Sequence, residues 1–386
     1  MLFPPSRPHV RTAVRRPRRG ALALLTALLS IAVLPIVSAT PATAQSDATV
    51  VVDGRGWGHG RGMSQWGALG YAVNYGWSAG QILDHYYGGT ANGGADDHNL
   101  RVLLQGQTGP SVILYHPLAQ LRTSADGDQA SRSALRMDRL ADGTWQLYDG
   151  ASCAGPWTPW GAPTATTAIT AWPVAETEDP SSSVQVCDAT GARAYRGHLE
   201  LRAANGGAQT LNVVPRENYL RSVVALEVSA SWWDIGRVPG VDGSGGGQAV
   251  MAQAVAARSY VEAGDTRYVS STADTCDSTL CQVYGGRARR TTGALASIEH
   301  PNIDAAVYHT RNTIRVHGNG AVARTEFSSS TGGHTAGGTF PAVPDLGDAY
   351  AGNPNHRWQQ TIAVSSIESA FGAGLGQFVG LSLIHI

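Results

Sequence analysis

Charge is scarce in this sequence. Asp, Glu, Lys and Arg supply only 15% of the 386 residues, and the formal net charge is −1 at pH 7. This balance excludes the basic surface that holds a nucleic-acid backbone, so we expect no nucleic-acid partner. Glycine is abundant at 47 residues, and low charge with much glycine favours turns and short strands over long helices. The 42% of hydrophobic residues can fill one large domain or two small ones.

Two familiar functional motifs are also missing. The glycines from Gly54 to Gly62 alternate with other residues, but no Gly-Lys-Ser/Thr follows them and no strand–turn–helix context surrounds them, which excludes a phosphate loop. Ser329, Ser330 and His334 lie together in the polar stretch SSSTGGHT. A serine hydrolase needs an Asp partner and commonly a G-x-S-x-G turn, and neither is evident. We therefore expect these three residues to donate hydrogen bonds to a substrate rather than to form a nucleophile.

The first 44 residues have the layout of a secretion signal. Arginines between residues 11 and 19 precede the apolar run ALALLTALLSIAVLPIVSA at 21–39, and Ala42-Thr43-Ala44 forms a small-residue cleavage site. We expect the protein to be secreted, with membrane contact only through an uncleaved signal; cell-wall association is what the family resemblance given below implies. The chain stops in VGLSLIHI without a polar tail. This ending predicts either a natural chain that continues beyond residue 386 or a terminal strand.

The stretch from Val214 to Glu262 predicts a central pair of helices. In its first half, one apolar stripe of a helix is predicted by the i, i+3, i+4, i+7 spacing of Leu220, Val223, Val224 and Glu227. Seven residues along a helix return to within about 20° of the starting direction, so we expect Glu227 on the buried face. Burial disfavours the charged form of a carboxylate and raises its pKa, which suits a general acid. The alternative is a core Glu held by an Arg or by backbone donors.

The second half of this stretch predicts a helix from Gln248 to Glu262 that carries Gln253 and Arg258 among alanines. Alanine favours helix formation and allows close packing, so a simple core helix is one interpretation. A buried Arg needs a partner, and an ion pair with Glu227 would lower the pKa of that carboxyl. We therefore expect Arg258 to contact substrate or a neighbouring loop, and Gln253 to contact substrate. Asp234 is the best candidate for a second acid, should one act beside Glu227.

The part before the central pair predicts two short helices, from Met63 to Val73 and from Ser78 to Tyr87, with Ser78 as the N-cap of the second. A cluster of aromatic, amide and hydroxyl side chains precedes and opens the first helix. Its members are Trp57, His59, Ser64, Gln65 and Trp66. Aromatic faces and polar donors suit sugar rings, so the cluster predicts one wall of a sugar-binding cleft. The alternative for His59 is an ordinary surface residue.

The remaining stretches favour strands and complete an α+β fold of mixed short strands around the central helices. RVLL and SVILY, at 101–104 and 111–115, predict a hairpin, and residues 121–197 predict a β-rich insert. YRGHLELRA and QTLNVVP predict two strands that lead into the Glu227 helix. DAAVYHT and AVARTEFSSS predict two further strands between residues 303 and 331.

The four cysteines predict two disulfides, because an even number in an exported chain is typical of a disulfide framework. Three pairings are open. Proximity along the chain favours Cys153–Cys187 and Cys276–Cys281.

Four blocks of the sequence resemble the sporulation stage II protein D / LytB (SpoIID/LytB) family. They are GWGHGRGMSQWGALGYA with ILDHYYGGT, VPRENYLRSVVALEVSASW with QAVMAQAVAARSY, CDSTLCQVYGG, and FSSSTGGHTAGG. They span most of the mature chain, 45–386. The resemblance implies a peptidoglycan lytic transglycosylase of cell-wall remodelling or sporulation, with glycan strands as substrate and Glu227 as catalytic acid. The alternatives are a non-catalytic glycan-binding module that recruits or activates a cell-wall amidase, and a hydrolase that uses water.

Two features depart from the family pattern. The glycine-histidine-glycine block comes first here, whereas it lies near the C-terminus in familiar members, and a permuted order keeps a fold only if the termini lie close together. Some relatives are thought to bind zinc at the cysteine pair that corresponds to Cys276 and Cys281, with a His upstream. No His occurs in the twenty residues before Cys276, so we expect a disulfide there and no cofactor, with zinc as the alternative.

Overall fold

The computed structural model of this chain describes residues 48–127, 130–204, 207–264, 269, 271–371 and 380. The predicted signal peptide lies outside the described residues, as does the final stretch VGLSLIHI apart from Gly380. Within the described part the chain forms two compact units. One unit runs from Gly54 to Trp358, and the second combines the segments before and after it.

The described residues form six helices and twenty strands, so the expected α+β class is confirmed. The helices are α1 (Gln65–Asn74), α2 (Ala79–Tyr86), α3 (Arg216–Glu227), α4 (Gly246–Glu262), α5 (Pro301–His309) and α6 (Val364–Phe371). The strands are β1 (Thr49–Gly54), β2 (Met63–Ser64), β3 (Thr90–Gly94), β4 (Asn99–Leu103), β5 (Ser111–Tyr115), β6 (Leu121–Thr123), β7 (Ala134–Arg139), β8 (Trp145–Gly150), β9 (Trp157–Thr164), β10 (Ala168–Pro173), β11 (Val184–Asp188), β12 (Gly191–Tyr195), β13 (His198–Ala204), β14 (Gly207–Pro215), β15 (Thr275–Cys276), β16 (Ala288–Arg290), β17 (Ala296–Ser297), β18 (Thr313–His317), β19 (Phe327–Ser328) and β20 (Trp358–Ala363). None of these helices has the length and apolar character needed to cross a bilayer.

Two large sheets dominate the first unit. One has the strand order β15-β4-β14-β13-β10-β6 and the other β17-β16-β12-β11-β5-β7-β8-β9. The segment 121–197 is β-rich as expected, and its strands β6 to β12 are shared between both sheets. The small pairs β18–β3 and β19–β2 complete this unit. In the second unit β1 pairs with β20, and Gln359 donates a hydrogen bond to Asp53 at 2.9 Å.

Helix α4 is the centre of the helical layer. It packs against α1, α2, α3 and α5 and against strand β18. The alanines of α4 that were expected to favour close packing are buried, and so is the predicted stripe of α3 at Leu220, Val223 and Val224. The hairpin β13–β14 feeds directly into α3, as the sequence predicts. This path places the last residue of α3 at the edge of the helical layer.

The cap of α2 follows the sequence prediction closely. The Ser78 hydroxyl accepts a hydrogen bond from the Gln81 backbone N–H, and the Gln81 side chain accepts one from the Ser78 N–H. This reciprocal pair satisfies two backbone donors that a helix otherwise leaves unpaired. The preceding helix α1 begins two residues later than predicted, because Met63 and Ser64 pair as strand β2 with Phe327 and Ser328.

Three secondary-structure predictions were wrong. Of the predicted strand AVARTEFSSS, only Phe327 and Ser328 form a strand, β19. The strands β4 and β5 exist, but they belong to different sheets: β4 pairs with β14, and β5 pairs with β7 and β11. The segment DAAVYHT lies mostly in helix α5, not in a strand. Pro301 starts this helix, the His300 side chain caps it, and the i, i+3, i+4 set Ile303, Ala306 and Val307 is buried. Proline is favoured in the first turn of a helix, and this start signal outweighs the apparent alternation.

Candidate active site

Glu227 is the last residue of α3, and the chain leaves the helix in an extended conformation at Val228. The side chain of Glu227 is partly exposed, whereas Leu220, Val223 and Val224 of the same helix are fully buried. Glu227 therefore lies half-buried at the rim of the apolar stripe rather than within it, and its carboxyl is still desolvated, as the stripe predicts. It is accessible from solvent and at the same time adjoins the core.

The environment of Glu227 favours the protonated acid. Burial raises the pKa of this carboxyl, and a hydrogen bond from the Gln65 side chain partly opposes the rise. The amide Nε2 of Gln65 donates to Oε2 of Glu227 at 3.0 Å. No Arg, Lys or His among the described residues forms an ion pair with Glu227, so the alternative of a Glu held by an Arg finds no support there. The C-terminal end of a helix also carries partial negative charge, which disfavours an ionised Glu.

Gln65 and its neighbour Ser64 have different roles. The Ser64 hydroxyl accepts a hydrogen bond from the Gly67 N–H at 2.9 Å and so caps α1. The same hydroxyl donates to Oδ1 of Asp348 at 2.9 Å. Ser64 is fully buried, so it fixes the start of the helix from which Gln65 reaches Glu227. The structure therefore brings Gln65 directly to Glu227 and places Ser64 behind it.

An aromatic cluster adjoins this pair in sequence. The rings of Trp66 and Trp232 have centroids 4.8 Å apart, and Trp66 stacks on Tyr350 at 6.1 Å. Trp66 and Tyr350 are partly exposed, whereas Trp232 is buried. Trp66 follows Gln65, and Trp232 lies shortly after Glu227 in the chain. Exposed aromatic faces of this kind can support a sugar ring.

The loop of Ser329 and Ser330 lies against the start of α1. The Ser329 carbonyl accepts a hydrogen bond from the Trp66 N–H at 3.0 Å, and its hydroxyl accepts one from Asn355 at 3.1 Å. Ser329 is partly exposed. Ser330 is buried, and its hydroxyl donates to Asp348 at 2.8 Å. Ser329 is therefore accessible enough to contact a sugar, whereas Ser330 is not, because its hydroxyl is buried and bonded to Asp348.

His59 and His334 are both exposed and line one surface depression of about 370 Å³. Trp57, 47% exposed, and Trp358 form an edge-to-face pair in its wall. Partial desolvation of the ring lowers the pKa of His59, and the positive charge of Arg61 lowers it further. The depression therefore presents an aromatic-lined surface to solvent, and the cation Arg55 also belongs to its lining.

Arg258 and Gln253 lie inside the protein. Arg258 is fully buried, donates two hydrogen bonds to the Glu217 carboxylate at 2.8 and 2.7 Å, and donates another to the Thr313 carbonyl at 3.1 Å. The expected contact with a neighbouring loop is present, but the guanidinium is not open to substrate. Gln253 is 1% exposed, and neither polar atom of its amide has a hydrogen-bond partner in the described part of the chain. Among the residues that the structure describes, neither side chain forms a hydrogen bond with Glu227 or Gln65.

Two buried carboxylates behind the site escaped the sequence analysis. Asp348 accepts hydrogen bonds from Ser64, Ser330 and the Gly332 N–H, and its Oδ2 lies 2.8 Å from Nδ1 of His356. Both Asp345 and Asp348 are at most 1% exposed. The only signal in the sequence is the spacing DLGD, which does not distinguish a buried pair from a turn.

Asp345 is held by different donors. Its carboxylate accepts hydrogen bonds from the Tyr86 hydroxyl at 2.7 Å and the Thr331 hydroxyl at 2.6 Å. Burial raises the pKa of Asp345 to about 6, and the neighbouring negative charge of Asp348 adds to the rise. Together the two carboxylates connect α2, the start of α1 and the loop after β19. They hold in place the elements that carry Gln65 and Ser329.

The two ends of the Gly54–Trp358 unit meet beside this site. Strand β2 pairs in parallel with β19, and Arg61 forms an ion pair with Glu326 at 2.9 Å. Gly62 has φ +67°, and a Cβ there would collide with the Glu326 carbonyl. Trp358 donates a hydrogen bond from Nε1 to the Gly56 carbonyl at 2.9 Å. The termini of this unit are therefore adjacent, which is the condition that a permuted order requires.

The remaining site predictions concern acids and metals. Asp234 is exposed, accepts a hydrogen bond from Asn302 at 3.2 Å and lies 3.7 Å from Arg237; neither of these residues forms a hydrogen bond or ion pair with the Glu227 carboxylate. The disulfides Cys153–Cys187 and Cys276–Cys281 are both present, as proximity predicted. No group of three or more potential metal ligands occurs among the described residues.

Residues 204–317 match the model of the SpoIID family, described as Stage II sporulation protein. The SpoIID/LytB assignment made from the sequence is confirmed over this segment, which contains α3, Glu227 and α4, whereas Gln65 and Ser329 lie outside it. The match suggests a role connected with the cell wall, and two disulfides fit an oxidising compartment. No curated protein and no solved structure matches the chain.

Proposed function

We propose that this SpoIID-containing chain is a peptidoglycan lytic transglycosylase. Glu227 acts on the glycosidic bond between N-acetylmuramic acid and N-acetylglucosamine. The observation that carries the proposal is the setting of this carboxyl: it is partly exposed, burial raises its pKa, and Gln65 donates to one of its oxygens. A general acid needs both access to substrate and a retained proton.

The hydrogen bond from Gln65 selects which oxygen carries the proton. The Gln65 amide donates to Oε2, so Oε2 acts as an acceptor and the acidic hydrogen resides on Oε1. Oε1 then gives its proton to the glycosidic oxygen as the bond from that oxygen to C1 of the muramic residue breaks. The leaving sugar departs with a hydroxyl group, and Glu227 is left as a carboxylate.

The same carboxylate completes the reaction as a base. It removes the proton of the C6 hydroxyl of the muramic residue while that oxygen bonds to C1, which closes a 1,6-anhydro ring and restores the acid. An internal hydroxyl takes the place of water, so the pair of carboxylates typical of glycoside hydrolysis is not required. The exposed position of Asp234, bonded to Asn302, is in keeping with a single acting carboxylate.

The test is mass spectrometry of glycan strands, with and without peptide stems, after incubation with the wild-type protein, Glu227→Gln or Asp234→Asn. We expect anhydro-ended fragments from the wild type and from Asp234→Asn, and a loss of about 10²–10⁴-fold in Glu227→Gln. Thermal unfolding of each variant establishes that it folds. Reducing-end fragments would instead indicate a hydrolase, and full activity in Glu227→Gln would remove Glu227 from the mechanism.

A second function is favoured by one observation. The depression around Trp57, His59 and His334 offers an aromatic surface that could hold glycan without cleaving it. A module that binds glycan and recruits or activates an amidase would use such a surface. Glycan binding by a folded wild-type protein that yields no fragments, together with faster release of stems by an added amidase, would favour this function.

A further inference from the structure

A second cavity, of about 400 Å³, lies between the two large sheets and has no part in the reaction proposed above. Its first wall is the hairpin β11–β12. Val186 pairs directly with Arg193 in this hairpin, and Asp188 and Tyr195 each lie two residues further along their strands. Residues two apart on a strand share one face, so all four side chains point to the same side. These four line the cavity.

The opposite wall comes from the other sheet. Strand β15 runs parallel to β4, and Gln105–Gln107 turns away from the end of β4. Asp277 follows β15, and its Oδ1 accepts a hydrogen bond from the Gln105 N–H at 3.0 Å. Gln107 and Asp277 line the cavity from this side. The cavity is therefore bounded by Arg193 on one wall and Asp277 on the other.

These two opposite charges are not paired with each other. Among the described residues, neither Arg193 nor Asp277 forms an ion pair within 4 Å. Both side chains are partly exposed. Burial raises the pKa of Asp277, and the positive charge of Arg193 only partly opposes the rise. The Asp188 carboxylate has two hydrogen-bond donors within its own turn, the N–H and the hydroxyl of Thr190. Arg193 forms a side-chain hydrogen bond with Tyr195, and Asp277 accepts one from the Gln105 N–H, but in the described part of the chain neither charge is neutralised by an ion pair within 4 Å, so the cavity has a cationic and an anionic pole.

Both walls are held by disulfides. Asp188 directly follows Cys187, which is bonded to Cys153, and Asp277 directly follows Cys276, which is bonded to Cys281. A site whose charged groups are held in place loses less conformational entropy when a ligand binds. The crosslinks therefore hold the backbone at Asp277 and at Asp188 before any ligand arrives, and Cys187 pairs across the hairpin with Ala192, the neighbour of Arg193.

We propose that this cavity binds an amino-acid end group, with the carboxylate on Arg193 and the ammonium on Asp277. Arginine suits a carboxylate because its guanidinium can donate two parallel hydrogen bonds. Asp188, on the same face as Arg193, adds negative charge, which favours a ligand with an ammonium group over a simple anion. Such an end group occurs on a free amino acid and at the end of a diaminopimelate side chain in a wall peptide. The second source rests on the proposed function.

The test is a calorimetric titration of the full chain with meso-diaminopimelate and with a wall peptide that contains it. We expect saturable binding that weakens about tenfold or more in Arg193→Gln and in Asp277→Asn, since each loses a charged hydrogen bond. Asn at position 277 keeps an oxygen for the Gln105 N–H. Arg237→Gln and Asp142→Asn, which change exposed charges outside the cavity, should bind as the wild type does. Thermal unfolding checks the fold of every variant.

Modified ligands decide whether both poles are used. Diaminopimelate with acetylated amines, and its dimethyl ester, should each bind at least about tenfold more weakly than the parent. Equal binding of either derivative, or no binding of any ligand by the wild type, would overturn the proposal. Binding of the free amino acid but not of the wall peptide would identify the free compound as the ligand. Glu227→Gln should lose glycan cleavage and keep this binding, so the two proposals fail separately.

Discussion

Removal of the Gln65 side chain should change the acidity of Glu227 in a known direction. The Gln65 amide donates to Oε2 of Glu227 at 3.0 Å and lowers the pKa of the carboxyl. A hydrogen bond to a charged group contributes about 1.5–3 kcal/mol, and one to a neutral group about 0.5–1.5 kcal/mol. Gln65→Ala therefore removes about 1 kcal/mol more stabilisation from the ionised form of Glu227 than from the protonated form. The pKa of Glu227 should rise further.

The assay is the release of anhydro-ended fragments as a function of pH. A general acid must be protonated, so the fall in kcat/KM at high pH reports ionisation of Glu227 in the free enzyme. This limb should move to higher pH in Gln65→Ala. The lost hydrogen bond to the reacting carboxyl should also lower the maximal kcat/KM by about tenfold to about a hundredfold. This range follows because about 1.4 kcal/mol of lost transition-state stabilisation corresponds to a factor of ten in rate.

A matched control is Gln81→Ala, which removes the side-chain bond that caps α2. It should lower stability slightly and leave the pH limb in place. If Gln65→Ala raises KM while the limb stays where it is, Gln65 binds substrate, as the sequence suggested, and does not position the acid. A shift of the limb to lower pH would refute the electrostatic reasoning.

Three further predictions concern the frame of the site. The pKa of Asp345 is about 6 in the folded state, above its unfolded value, so the folded state binds the proton more tightly. The free energy of unfolding should therefore fall by up to about 3 kcal/mol as pH rises from about 4 to 7. Denaturant unfolding of Asp345→Asn should show a weaker dependence on pH. Arg258→Ala removes the two short hydrogen bonds to the Glu217 carboxylate, which then keeps the longer contact with Arg216 at 3.3 Å, and should cost about 3 kcal/mol of unfolding free energy, while glycan binding per folded molecule, measured by pull-down, stays unchanged. Replacement of Cys153 and Cys187 by Ser opens a crosslink with a sequence separation of 34 and should cost about 4 kcal/mol in the same unfolding assay.

The position of the glycine-histidine-glycine block has a structural explanation. Its residues pair with the loop at 326–330, and the ends of the Gly54–Trp358 unit touch. A block that docks between two adjacent termini can be attached to either one without a change in its contacts. Gly62 is required at this junction because its φ is +67° and the Glu326 carbonyl lies against it. At Gly62 the glycine thus serves close approach of two chain segments.

The sequence by itself determined the features that depend on neighbours along the chain. The apolar stripe of α3, the cap at Ser78 and the two disulfides could be predicted because their partners lie within a few turns or follow simple proximity rules. The family resemblance was equally available, since it rests on short contiguous blocks. Errors arose where a short pattern fitted two structures, as in DAAVYHT, for which Pro301 and tertiary burial selected a helix.

Only the tertiary structure decided which distant side chains meet. Gln65 and Glu227 are 162 residues apart, and no periodicity relates them; their contact depends on how α1 and α3 pack around α4. The same packing buries Arg258 against Glu217 and leaves the Glu227 carboxyl at the rim of the helical layer. The acidity of Glu227 depends on this packing, because burial raises its pKa and the hydrogen bond from the distant Gln65 opposes the rise. This setting therefore exists only once the chain has folded.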